Sequence, residues 1–102
     1  MKGLILHILE SRNGYIKRAE LLHELNVLGQ NTNDRAMRKE IELMIAEGHY
    51  IQSSEMGYRL CRSHNDFMEA KTYLRKKAVA ILKRVSYFDK GLREKGQLKL
   101  SL

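Results

Sequence analysis

The chain has 102 residues, 43% hydrophobic and 30% charged, with no proline and one cysteine. That composition fits one soluble globular domain with at most a short appendage rather than a disordered protein, and a single cysteine excludes an internal disulfide. The net charge of +7 favours an anionic partner, yet residues 1–74 hold ten Lys/Arg and ten Asp/Glu, so the excess sits entirely in residues 75–102.

Leu4, Ile5, Ile8 and Leu9 are spaced as one face of a first helix ending near Asn13-Gly14. The stretch is short and interrupted by His7, which argues against a membrane span or a signal peptide. Tyr15-Ile16 suits no more than an edge strand. Glu20 to Leu28 predicts a second helix, with Leu21, Leu22, Leu25 and Leu28 on one side and Gly29 as its stop. The polar turn Gln30-Asn31-Thr32-Asn33 supplies N-cap residues for a third helix from about Asp34 to Glu47. Its inward side is Met37, Ile41 and Met44, and Gly48 closes it.

After Gly48 the period changes. Tyr50-Ile51-Gln52 and Gly57 to Cys61 read as two short strands joined by Ser53-Ser54-Glu55-Met56. Ser63 and Asp66 have capping-box spacing and open a long helix. Its apolar positions Phe67, Ala70, Leu74, Ala78, Ile81, Val85 and Phe88 step by three or four residues. Gly91 and Gly96 then predict a break into a basic tail. The expected organisation is a head over residues 1–62, an amphipathic helix over 63–90 and a tail over 91–102. The lone Cys61 has no internal partner, as suits a reducing, cytoplasmic setting.

The run Asn33-Asp34-Arg35-x-x-Arg38-x-x-Ile41, followed by Gly48-x-x-Ile51-x-Ser53-Ser54-x-x-Gly57-Tyr58-x-Leu60, resembles small winged-helix proteins of phages and prophages. It is also similar to the amino-terminal operator-binding domain of biotin-dependent repressors. The resemblance covers about residues 4–85. It implies an α+β, mostly helical fold, a winged helix-turn-helix with a long C-terminal helix, binding double-stranded DNA in a bacterial cell or phage-infected host. The role it implies is that of a regulator or a replication accessory, and the fold alone settles neither.

In such domains the third helix enters the major groove. Here the side opposite Met37, Ile41 and Met44 carries Arg35, Arg38, Lys39 and Glu42, and arginine there forks onto guanine or reaches phosphate. The duller reading is a solvated face pairing with Glu42. Thr32 and Asn33, at the helix start, offer backbone N–H groups to a phosphate. Ser53 and Ser54 lie in the wing, with Arg59 and Arg62 beside it, where arginine suits a minor groove. Tyr58 reads as core, and Gly57 as the source of a positive φ.

The apolar stripe of the long helix either covers the domain or pairs two copies through residues 67–88, as an added terminal helix does in many winged-helix repressors. Arg75, Lys76, Lys77, Lys83 and Arg84 either touch phosphates or keep the outer face soluble. The last residues, Gln97, Leu98, Leu100 and Leu102 among them, are similar to Gln-Leu-x-Leu-x-Leu peptides that dock on the bacterial sliding clamp. An extended strand there turns three leucines to one side. The alternative to DNA binding is therefore an interaction module that recruits the clamp or another replication protein. His7, His23, His49, His64 and Cys61 lack ligand spacing, so no metal, cofactor or enzymatic activity is expected.

Overall fold

The computed structural model describes the backbone of residues 1–100 and the side chains of residues 1–96. In chain order it forms α1 (Lys2–Glu10), α2 (Arg18–Val27), α3 (Asp34–Ala46), β1 (Ile51–Ser54), β2 (Gly57–Leu60) and α4 (His64–Leu100). The architecture is mostly helical α+β, with one two-stranded antiparallel sheet and a long C-terminal helix. It divides into two compact units, Met1–Ser63 and His64–Leu102. Among the described residues, no helix is long and apolar enough to cross a membrane.

In the first unit each helix turns one apolar side inward. Ile5, Ile8 and Leu9 of α1, Leu21 and Leu25 of α2, and Met37, Ile41 and Met44 of α3 meet in one core with Ile16, Ile51 and Tyr58. Leu28 does not join them. The helix stops at Val27, and Leu28 falls in the cap position with its side chain exposed.

α1 also ends earlier than the Asn13-Gly14 signal suggests. Two side chains take up its last carbonyls: Ser11 Oγ donates to Ile8 O at 2.7 Å, and Arg62 Nη2 donates to Leu9 O at 2.9 Å and Glu10 O at 2.5 Å. With its C-terminal acceptors satisfied, the helix gains nothing by continuing.

The hairpin pairs Ile51 with Leu60 and Ser54 with Gly57, which leaves Glu55-Met56 as the turn. Ile16 adds a third short rung: its N–H donates to Tyr58 O and its carbonyl accepts from Tyr58 N–H, both at 2.9 Å. Gly57, next to this rung, has φ +119°, and a Cβ there would overlap the Ile16 carbonyl. Only glycine meets both demands at that position.

The second unit is α4. Its glycines do not break it: the helix passes through Gly91 and Gly96 to Leu100. A glycine costs a helix interior about 1 kcal/mol relative to alanine, which weakens it without forbidding it. The expected boundary at residue 91 therefore gives way to one continuous helix. The side chains of Gln97, Leu98 and Leu100, and Leu102 altogether, lie outside the described residues.

Candidate nucleic-acid interface

The turn between α2 and α3 is held by one side chain. Asn26 Oδ1 accepts from Thr32 N at 2.7 Å, and Asn26 Nδ2 donates to Thr32 O at 3.2 Å. Both backbone groups of Thr32 are thus taken, and Asn31 reaches a left-handed φ of 47°, which asparagine tolerates. The phosphate-holding part expected of the Thr32 N–H is closed to it, because an internal amide already fills that position. Asn33 instead caps α3: its Oδ1 accepts from Ala36 N at 2.8 Å.

α3 then presents two faces. Met37, Ile41 and Met44 are at most 1% exposed, whereas Arg35, Arg38, Lys39 and Glu42 lie on the outer side and are all exposed. Asp34, in the first turn, suits the positive end of the helix and gathers two arginines. Its Oδ2 is 3.1 Å from Arg38 Nε, and its Oδ1 is 3.1 Å from Arg18 Nε at the start of α2. Each guanidinium is ion-paired with the carboxylate at its Nε side. The terminal nitrogens make no hydrogen bond among the described residues, and these are the donors that fork onto phosphate or guanine. Arg35 and Lys39 likewise have no side-chain partner among the described residues.

Tyr58 of β2 adjoins this cluster. Its ring is buried, and that burial raises the phenol above its usual range; Arg18 and Arg38 pull it down, Asp34 and Glu42 push it up. The hydroxyl therefore stays protonated and lies in the field of the charged groups of α2 and α3.

The wing arginines are used differently from expectation. Arg59 Nε donates to Gln52 Oε1 at 2.7 Å across the hairpin, and its guanidinium lies 4.6 Å from the Tyr15 ring centroid. Arg62 caps α1, as described above. Both are engaged by internal acceptors or an aromatic face, while Arg62 stays exposed and Arg59 partly so. Ser53 is exposed; Ser54 Oγ accepts from Met56 N at 3.1 Å and so shapes the turn.

Asp34 brings Arg18 and Arg38 together; Arg35 and Lys39 are exposed on the same side of α3, and Ser53 is exposed on the hairpin. Arg18 is the residue that sequence reasoning missed. Lys17, which precedes α2, makes no side-chain cap bond, so no N-cap signal marked a helix beginning at Arg18. Histidines far apart in sequence also meet: His7 and His23 line a groove of about 430 Å³ together with Arg12 and Glu24. Arg12 is already paired there with Glu20 and Glu24. Among the described residues no group of three or more His, Cys, Asp or Glu side chains is placed to hold a metal ion. No protein family, curated protein or solved structure matches the chain.

Proposed function

We propose that this chain is a winged helix-turn-helix protein that binds duplex DNA through α3, as a regulator or replication accessory of phage or mobile-element type. The observation that carries the reading is the two-sidedness of α3. Its Met/Ile side is sealed in the core, while Arg35, Arg38 and Lys39 stand outward beside Arg18. A helix so placed offers its amino-terminal half to a major groove. The element order supports the same reading, since Ile16, β1 and β2 supply the small sheet and wing that accompany such helices.

Fluorescence anisotropy of the full chain on a random duplex at low salt tests it. Affinity should fall steeply as salt rises, because phosphate contacts release counterions. On a duplex selected for specific binding, Arg38→Ala should lower affinity by about 1–3 kcal/mol if that side chain reads a base. Wild-type affinity in an Arg18→Ala/Arg38→Ala variant overturns the assignment of this face.

A second reading, an interaction module that does not bind DNA through its head, draws on charge. The ten acids of residues 1–74 balance their ten bases, and Asp34 lies between the two arginines that face out from α2 and α3. In that case the Gln97, Leu98, Leu100 and Leu102 peptide recruits the sliding clamp, and a clamp pull-down loses the protein when residues 97–102 are removed.

A further inference from the structure

The described part of α4 keeps its large apolar side chains in water: Leu74 is 63% exposed, Ile81 57% and Phe88 76%. These three and Phe67 recur at intervals of seven: 67, 74, 81 and 88. Assigned to position d of a heptad, they place Lys71, Ala78, Val85 and Leu92 at position a. The outermost position f is then charged in every heptad, as Glu69, Lys76, Lys83 and Lys90. A strict seven-residue repeat is not what a straight helix needs to cover a globular core, whose period is 3.6 residues. It is the repeat that keeps one seam facing an equivalent helix as the two supercoil.

We infer that two copies of this chain associate through α4 as a parallel, in-register, two-stranded coiled coil along the Phe67–Leu92 seam. Charge fixes the direction. In a parallel pair, position g of one helix meets position e of the next heptad on the other, so Arg84 faces Asp89 of the second copy, twice by symmetry. Lys77 faces Leu82, and Ala70 faces Arg75, so no like charges meet across these flanks. In an antiparallel pair centred on the same seam, positions g face one another, so Arg84 of one copy meets Lys77 of the other, twice by symmetry. Lys71 is the one charged residue among the a positions of this seam. A single such residue holds register and disfavours larger bundles at some cost in stability, its stem packing while the ammonium reaches water. The seam spans about 38 Å at 1.5 Å per residue, and Met68 and Leu82, at position e, widen it.

The inference does not rest on DNA binding, and its test uses protein alone. Analytical ultracentrifugation of the full chain should give twice the 11.9 kDa chain mass at micromolar concentration. Val85→Glu, on an exposed position, should return it to one chain mass with an unchanged head unfolding midpoint, whereas Lys83→Ala should stay dimeric. Arg84→Glu should weaken the dimer about tenfold, in line with two exposed ion pairs, and Arg84→Glu/Asp89→Arg should restore it. In a Cys61→Ser background, Ala78→Cys should oxidise to a covalent dimer and Lys83→Cys should not. A single-chain mass for the unmodified protein, a mass of three or more chains, or a dimer that Ala78→Cys fails to crosslink each overturns the proposal.

Discussion

Residues 1–63 and the long helix that follows carry apolar side chains at similar three-and-four spacings, and water treats the two sets in opposite ways. In the first region Ile5, Leu21, Met37 and Ile41 are at most 1% exposed, since three helices and a hairpin turn their apolar sides toward one another. In α4 the seam residues Phe67, Leu74, Ile81, Val85, Phe88 and Leu92 are each exposed over two-fifths or more of their surface. Amphipathic spacing shows that a helix has a side to hide and leaves open what hides it. The difference lies in how far the repeat runs: in α4 it holds over 67, 74, 81 and 88, whereas Met37 and Met44 of α3 span a single interval of seven, too short to favour a supercoil over a globular core.

The same substitution made in both regions should separate them most sharply. Ile41→Ala empties a filled site in the core and should destabilise the first unit by about 2–5 kcal/mol, the ordinary cost of a large-to-small core change. Ile81→Ala removes the same atoms from an exposed position and should leave the thermal unfolding of the first unit unchanged. Calorimetry of both variants checks this, and equal losses in the two would break the contrast. Asn33→Ala gives a smaller effect on the same scale. It removes the oxygen that accepts from Ala36 N and should cost about 1 kcal/mol. Because the cap sets where α3 begins, hydrogen exchange should quicken in its first turn and not in α4.

Legibility in sequence followed the same division. α3 could be read closely because each end carries a local signal: Asn33 caps it, and Gly48, with φ +101°, follows its last turn. The hairpin was legible from Gly57-Tyr58, where turn chemistry and a buried tyrosine adjoin. What could not be read depends on residues distant in the chain. Arg62 looks like a wing residue until it is seen capping α1 across 53 positions, and Arg59 until it is found over Tyr15. Thr32 looks open until Asn26, six residues earlier, takes both its backbone groups. The passage of α4 through Gly91 and Gly96 is a weak local preference overruled by the helix formers around it. The α3 face was predicted; its partner Arg18 was hidden because nothing local announces the start of α2.

The smallest expected effect concerns a contact of the distant kind. Lys2, at the start of α1, donates to Glu47, in the cap of α3, and that hydrogen bond, followed by the lysine charge, holds the Glu47 carboxyl below its ordinary range; His49 adds a lesser pull in the same direction. A carboxyl whose pKa is lower folded than unfolded adds stability above its unfolded value, and that share is lost as pH falls through the folded value. Both side chains are about half exposed, so solvent screens the pair and its share of stability is slight. The titration is the better readout. Lys2→Met should move Glu47 up toward the ordinary glutamate range in a carbon-detected NMR titration, while Lys83→Met, on the outer side of α4, should leave it where it is. If Lys2→Met leaves Glu47 unmoved, the two helix ends are not tied. One of the long-range links that distinguish the first region from α4 then disappears, although the core contacts that define that region remain.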